Sequence, residues 1–91
     1  MKIQAVYDAG DRFIDRYTIV TDRAEMIPLR GDALELHRGY QALGVSDNPT
    51  HPQQGFSQWT AAIVGPHLGK RIEFAELPEN VQEHVLERLG A

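Results

Sequence analysis

The sequence predicts an α+β fold, in which a small antiparallel sheet of four to six short strands carries a C-terminal helix packed on one face. Three observations support this prediction. Residues 2–7 alternate in polarity with the period of a half-buried strand, and residues 13–20 are rich in aromatic and β-branched side chains. Residues 78–90 instead repeat apolar side chains every four positions, as an amphipathic helix does.

The first two strands are predicted to form a hairpin. In the first strand, Ile3, Ala5 and Tyr7 alternate with the other side chains and are expected to share one buried face. The connection at residues 8–11 contains a glycine, which tolerates positive φ. It also contains two aspartates that can accept hydrogen bonds from nearby backbone amides, so a turn is expected there.

Asp15 is the unusual member of the second predicted strand, residues 13–20. Alternation places it on the same face as Phe13, Tyr17 and Ile19, where a charged side chain is not expected. Its carboxylate either lies at an edge and reaches water or a backbone amide, or it is a functional acid. The sequence leaves both interpretations open.

The middle of the chain is predicted to add further strands. Residues 24–29 can form a short strand that ends at a turn over residues 30–32. Because Pro28 has no N–H to donate, this strand cannot occupy a central place in a sheet. Residues 34–37 and 40–45 are predicted to be extended. The alternative for that stretch is one helix, which has to accommodate an internal glycine at a cost of about 1 kcal/mol.

A long loop is predicted over residues 46–55, which read SDNPTHPQQG. Two prolines and several turn-forming residues separate two apolar runs here, and loops of this length in small domains are often functional or specifically packed. A short extended piece follows at residues 55–60. After a turn at residues 65–69, the alternation of residues 70–74 predicts another half-buried strand.

The C-terminal helix has the clearest signals in the chain. Pro78 suits a first helical turn, nearby glutamates favour the positive end of the helix dipole, and Gly90 can close the helix. Val81, Val85 and Leu89 form an apolar stripe. An isolated helix of this length is marginal in water, so the stripe is expected to lie on the sheet.

Composition limits the classes of function. The 91 residues are 42% hydrophobic, which predicts one core and a single domain over residues 1–91. There is no cysteine, and no apolar run is long enough for a signal peptide or a membrane helix, so a cytoplasmic protein is expected. A net charge of -4 works against sequence-independent binding to nucleic acid and against a membrane surface.

Five segments together resemble a known group of proteins. They are VYDAG at residues 6–10, DRYTIV at 15–20, ALGVSDNP at 42–49, HPQQGFSQW at 51–59, and HLGKRIEF at 67–74 with Leu77 and Pro78 beyond it. The group is a family of small uncharacterised proteins of bacterial genomes and their phages, typified by YDNGG-like, DRYT, HPQGFGQ-like and GKRI segments.

The resemblance covers most of the chain, but the sequence departs from the family pattern at Ala9, at Asp11 and by an additional glutamine in the loop, and residues 22–38 match poorly. The family has no established activity, so no catalytic residue is implied. The resemblance implies a fold and a genomic setting. In phages and mobile elements, small proteins often bind a host protein, including components of defence systems.

Binding to a protein partner is the function that these residues favour. Phe56 and Trp59, with glutamines around them and a proline-bearing loop before them, have the composition of an interface hot spot. The alternative is that the only tryptophan belongs to the core. The predicted binding residues are His51, Gln53, Gln54, Phe56, Gln58, Trp59, Lys70 and Arg71, with Lys70 and Arg71 taken as neighbours of the loop. A homodimer through an exposed edge strand is also open.

Two other functions are weighed. A small nucleic-acid-binding domain would need Arg16, Arg38, Lys70 and Arg71 to gather into one basic patch. A metal-dependent hydrolase would need several of the four histidines to meet, but their spacing fits no metal motif, so no metal site and no other cofactor are predicted. Neither Ser46 nor Ser57 has a histidine base or an oxyanion hole near it in the sequence, so no catalytic residue is predicted.

Overall fold

A computed structural model of the protein describes residues 2–29, 32–53 and 55–90. Over these residues it confirms the predicted fold class, with one antiparallel sheet of five strands and a single C-terminal α-helix. The strands are β1 (Ile3–Asp8), β2 (Tyr17–Leu29), β3 (Asp32–Val45), β4 (Ser57–Ala62) and β5 (Lys70–Ile72), and the helix is α1 (Glu79–Arg88). Their order in the sheet is β4-β3-β2-β1-β5.

The β2–β3 hairpin forms the long axis of the sheet. The strands predicted at residues 24–29, 34–37 and 40–45 are confirmed, but they belong to two long strands, and the alternative of a helix is wrong. Pairing between β1 and β2 ends at Thr21, so Pro28 lies where β2 pairs with β3 alone and its missing N–H disturbs no second ladder. The predicted turn at residues 30–32 lies largely outside the described residues.

The connection from β1 to β2 is longer than predicted. Strand β2 begins at Tyr17, and residues 13–16 belong to the connection, with Phe13 59% exposed and Ile14 74% exposed. The N–H of Ala9 donates to the carbonyl of Arg16 over 2.8 Å, which closes the ladder and leaves the residues between them outside it. A strand that starts at residue 13 is therefore wrong, although its composition favours one.

A shift in register corrects the prediction for β1. Pairing with β2 slips between Ile3 and Ala5, and such a bulge places the residues on its two sides on different faces of the sheet. Ile3 therefore packs with the cluster that contains Val6, whereas Ala5 and Tyr7 pack with the cluster on the opposite face. Strict alternation from residue 3 to residue 7 is wrong at this one position.

The helix covers one face of the sheet, which we call the helix face. Its apolar stripe is confirmed, because Val81 and Val85 are fully buried and pack against strand residues that include Ile19 and Leu43. Gly90 closes the helix with a φ of 77°. Within the described ranges no helix has both the length and the apolar character needed to cross a bilayer.

The opposite face, which we call the open face, carries small side chains. Ala5, Tyr7, Val20, Ala42 and Ala62 form a second buried cluster, and Leu68 packs against it. Leu68 belongs to residues 63–69, the crossover segment, which takes the chain from β4 at one edge of the sheet to β5 at the other. The segment lies on this face and covers part of it.

Candidate functional site

Three connections meet at one end of the sheet, which we call the loop end. The strand register places Asp8, Tyr17, Val45, Ser57 and Lys70 in a single row across the five strands. Each of these residues begins or ends its strand. The β1–β2 connection, the long β3–β4 loop and the end of the crossover segment therefore leave the sheet side by side.

A cleft opens on the open face at this end, between the crossover segment and the loops. It consists of two cavities that share Asp15, so we call it the Asp15 cleft. A cavity of about 110 Å³ is lined by Asp15, Gly44, Phe56, Gln58 and Thr60. A cavity of about 260 Å³ is lined by Ala9, Phe13, Asp15, Thr18, His67 and Leu68.

Gly44 explains how a carboxylate comes to lie over the sheet. A Cβ atom at this position would lie 3.1 Å from Oδ2 of Asp15, so only glycine leaves ordinary room for the side chain. Asp15 is half-buried, yet among the described residues no hydrogen bond or ion pair engages its carboxylate. A partly desolvated carboxylate with unused acceptor sites favours a ligand that brings N–H donors or positive charge.

Apolar side chains border this carboxylate. Phe13 and Ile14 form an exposed ridge on the β1–β2 connection, and Phe13 lines the larger cavity of the cleft. On the other side of the ridge lies a third cavity of about 220 Å³, lined by Gly10, Asp11, Phe13, Ile14, Arg16, Ser46 and Asp47. Exposed large apolar side chains within a polar rim are typical of surfaces that contact another molecule.

Of the two arginines on the β1–β2 connection, Arg16 is already paired, and the guanidinium carbon of Arg12 lies 5.8 Å from the centre of the Phe13 ring. Nε of Arg16 donates to Oδ1 of Asp8 over 2.9 Å, and its second nitrogen donates to Oδ2 over 3.2 Å. The hydrogen bond from Arg16 holds the pKa of Asp8 below its usual range. Among the described residues that line the three cavities, the charges without a counter-ion are therefore acidic, at Asp11, Asp15 and Asp47.

The structure divides the predicted aromatic anchor between two faces. Strand alternation puts Phe56 and Gln58 on the open face, where both line the Asp15 cleft. Trp59 lies on the helix face, pairs with Leu43 and packs against the main core cluster. The prediction that Phe56 and Trp59 form one exposed anchor is wrong, and the alternative assignment of Trp59 to the core describes its packing.

His51 and Gln53, two of the remaining predicted loop residues, are not among those that line the cleft. Nδ1 of His51 accepts a hydrogen bond from the N–H of Gln53 over 3.1 Å, which is a local loop contact. Gln53 is exposed, and Gln54 lies outside the described residues. The functional contribution of these residues stays a prediction.

Lys70 and Arg71 do not neighbour the long loop. They lie on β5, at the opposite edge of the sheet from β4, and four strand spacings of about 4.8 Å separate the two edges by roughly 19 Å. The expectation that they extend the loop surface is therefore wrong. Arg38 pairs with Met26 in the far half of the β2–β3 hairpin, so it lies apart from Arg16 and Lys70, which both act on Asp8, and the four basic residues do not gather into one patch.

Metal chemistry finds no support in the described part of the chain. No group of three or more histidine, aspartate or glutamate side chains there could hold a metal ion. His67 lines the Asp15 cleft, His51 lies in the long loop and His84 lies on α1. The side chain of His37 is not among those described.

Sequence reasoning missed one side-chain pair. Nε2 of His84 lies 2.9 Å from Oγ of Ser57, so the structure supplies a histidine that the local sequence did not reveal. Burial lowers the pKa of His84. Catalytic serine–histidine pairs require a carboxylate that hydrogen-bonds the other ring nitrogen and orients the ring. Within the described residues no carboxylate makes that hydrogen bond to His84, and we interpret the contact as one that joins α1 to β4.

Sequence reasoning also missed the ridge and the cleft, because Phe13 and Ile14 were assigned to a strand. The available signal was the FID sequence directly after a turn, in which two apolar residues precede an acid. No protein-family model, curated protein or solved structure matches the chain. The resemblance to small bacterial and phage proteins stays a prediction, and what this site does has to be inferred from its own residues.

Proposed function

We propose that the protein is a non-enzymatic protein-binding module that holds a partner segment at the loop end, with a basic side chain of the partner seated in the Asp15 cleft. The observation that carries the proposal is the half-buried carboxylate of Asp15, which has no counter-ion among the described residues and lines one cavity with Phe13 and another with Phe56. The partner's adjacent apolar side chains contact the ridge of Phe13 and Ile14.

Charge complementarity selects a basic partner. The uncompensated charges around the three cavities are carboxylates, and the whole chain carries a net charge of -4. Such a surface attracts positively charged segments and repels acidic ones, and it raises the association rate at low salt. The binding should accordingly weaken as salt concentration increases.

The geometry of the cleft suits arginine better than lysine. A guanidinium can donate two hydrogen bonds to the carboxylate of Asp15 while its flat face packs on an aromatic ring, and Phe56 lines the same cavity as Asp15. Gln58 and Thr60 line the same wall and supply further polar groups. Lysine can satisfy the charge but not the planar packing.

The genomic setting implied by the family resemblance suggests a source for the partner. A phage or mobile-element protein of this size would act in the bacterial cytoplasm on a host protein, for example a component of a defence system. The loop end would then inhibit or sequester that protein by covering a basic segment of its surface. This part of the proposal rests on the resemblance and on the charge of the site.

A peptide selection tests the proposal without knowledge of the partner. The purified protein is screened against a random peptide display library, and selected peptides are measured by fluorescence anisotropy. We expect enrichment of arginine next to aromatic or aliphatic residues. Asp15→Asn should lose the preference for arginine, and Phe13→Ser should weaken all selected peptides about tenfold or more.

The matched control is Glu83→Gln, which removes the same charge from an exposed position on α1. It should select the same peptides as the wild type. The proposal is overturned if no peptide is selected, or if Asp15→Asn and Phe13→Ser bind the selected peptides as tightly as the control does.

A further inference from the structure

The two edges of the sheet differ in how they are protected from pairing with another chain. Natural edge strands are kept short, charged or interrupted by proline, because an open edge presents unpaired N–H and C=O groups. β5 has three residues, of which two are basic. β4 has six residues, SQWTAA, with no charge and no proline. β4 is therefore the unprotected edge.

The register identifies which backbone groups of β4 point away from the sheet. The N–H of Ser46 donates to the carbonyl of Phe56 over 2.9 Å, which marks a hydrogen-bonded pair. Such pairs alternate along an antiparallel ladder, so Gln58 and Thr60 also direct their N–H and C=O groups towards β3. Those of Ser57, Trp59 and Ala61 point outwards, and no other described strand pairs with them.

We propose that a second copy of the chain adds its β4 to this edge, antiparallel and about a two-fold axis at Trp59. In that register Trp59 pairs with Trp59 of the second copy, and Ser57 pairs with its Ala61, so every outward group of the three residues is satisfied. Residues that pair directly share a face, so both helices lie on the same side of a continuous ten-stranded sheet.

Two properties of β4 favour a second copy as the occupant. The strand has no charged side chain, so self-pairing brings no like charges together in a chain whose net charge is -4. Trp59 is half-buried on the helix face, and the two-fold axis places the two indole rings opposite each other, where aromatic cross-strand pairs add stability.

Pairing also joins the two Asp15 clefts. On the open face, Gln58 of one copy lies opposite Thr60 of the other, and both residues line the cleft. Each copy thus extends the wall of its neighbour's site. If each cleft holds a basic segment, the dimer should bind a partner with two such segments more tightly than a single cleft does. This consequence rests on the proposed function, whereas the strand pairing itself does not.

Sedimentation velocity of the full chain over a range of concentrations tests the pairing. The wild type should form a dimer, and the fluorescence of Trp59, the only tryptophan, should shift on dilution in step with dissociation. Ala61→Pro removes an outward N–H without breaking the bonds to β3, so it should give a monomer. Persistent monomer for the wild type up to about millimolar concentration would overturn the proposal.

Arg71→Pro is the matched control, because it removes an outward N–H at the other edge. The hydrogen bond from Ala9 to Arg16 marks a bonded pair, so by alternation the backbone N–H and C=O groups of Tyr7 point towards β2. Those of Val6 and Asp8 point towards β5, so the backbone groups of Arg71, which pairs with Tyr7, point away from the sheet. This variant should remain a dimer. If it becomes a monomer while Ala61→Pro stays a dimer, β5 is the pairing edge and the proposal fails.

A second pair of variants decides the question if Ala61→Pro does not fold. Gln58→Lys with Thr60→Lys places lysines opposite each other across the axis and should raise the dimer Kd about tenfold or more. Gln58→Glu with Thr60→Lys should restore dimerisation. A dimer unaffected by the two lysines would place the interface elsewhere and overturn the proposal. Where Ala61→Pro folds as a monomer, its peptide binding separates failure of the strand pairing from failure of the Asp15 cleft.

Discussion

Nε2 of His84 and Oγ of Ser57 lie 2.9 Å apart, so a side-chain hydrogen bond joins helix α1 to the first residue of β4. The contact fixes the middle of the helix over the edge of the sheet. It also makes the packing of α1 sensitive to the charge of one imidazole, because burial and the nearby Arg88 both disfavour the protonated ring, while Glu87 favours it.

The first prediction concerns acid stability. The pKa of His84 in the folded chain lies below its ordinary value of 6.5, so the unfolded chain binds more protons near that pH. The neutral His84 ring therefore contributes stability that is fully present above about pH 6.5 and is lost as the pH falls through the folded pKa of His84. Urea unfolding at pH 7.5 and pH 5 should show this decline, and His84→Gln should reduce it.

The second prediction concerns the Asp8–Arg16 pair. The carboxylate of Asp8 accepts two hydrogen bonds from Arg16 and one from the N–H of Gly10. Asp8→Asn should lower the free energy of unfolding by about 1 kcal/mol, because the pair is partly exposed. Since the folded pKa of Asp8 is lowered, the stabilisation by the pair is fully present above the ordinary pKa of 3.8 and is lost as the pH falls through the lower folded pKa.

The third prediction compares two glycines with positive φ. Gly69 has a φ of 114°, and a Cβ atom there would collide with the carbonyl of Asp8 and lie 2.8 Å from Cα of Ala9. Gly69→Ala should cost about 3 kcal/mol or more, whereas Gly10→Ala, with a φ of 66° and open space around it, should cost about 1 kcal/mol. Thermal unfolding of the two variants measures both losses of stability. Equal losses for Gly69→Ala and Gly10→Ala would contradict this account.

The fourth prediction separates the position of Asp15 from the fold. Gly44→Ala would place a methyl group 3.1 Å from Oδ2 and 3.3 Å from Cβ of Asp15, which is closer than ordinary van der Waals contact, so the Asp15 side chain must shift. The cost in stability should stay below about 1 kcal/mol, because the side chain can swing into solvent. Arginine peptides selected by the wild type should bind more weakly. Unchanged peptide affinity would show that the position of the carboxylate is irrelevant.

Local patterns predicted the elements that depend on local physics. The stripe of Val81 and Val85 predicted α1, and the positions of Pro78 and Gly90 indicated its ends. The prediction that a strand with Pro28 cannot be central is wrong for β2 as a whole, which is the middle strand, and holds only for the part of β2 that pairs with β3 alone. Alternation failed at Ile3, because a bulge has no strong sequence signal, and it failed at Phe13, because a favourable strand composition does not guarantee a pairing partner.

The site could not be predicted, because it depends on which strands are neighbours. Nothing local in the sequence shows that β5 joins β1 and not β4, so Lys70 and Arg71 were placed beside the long loop from which four strand spacings separate them. The contact of Asp15 with Gly44 joins the β1–β2 connection to β3, so it depends on how β2 and β3 pair. Ser57 and His84 meet only because α1 crosses the helix face towards β4.

The sheet order also has a consequence for how the chain acquires its structure. Strands β1 to β4 are consecutive neighbours, so this meander can pair as synthesis proceeds, whereas β5 and α1 come last in the sequence, after the chain has crossed to the far edge. Until then the helix face, with Ile19 and Leu43 at its centre, stays open to water. A chain truncated after Ala62 should therefore bind an apolar dye and aggregate, and the full chain should bury that surface in its slowest folding phase, which stopped-flow dye binding can resolve.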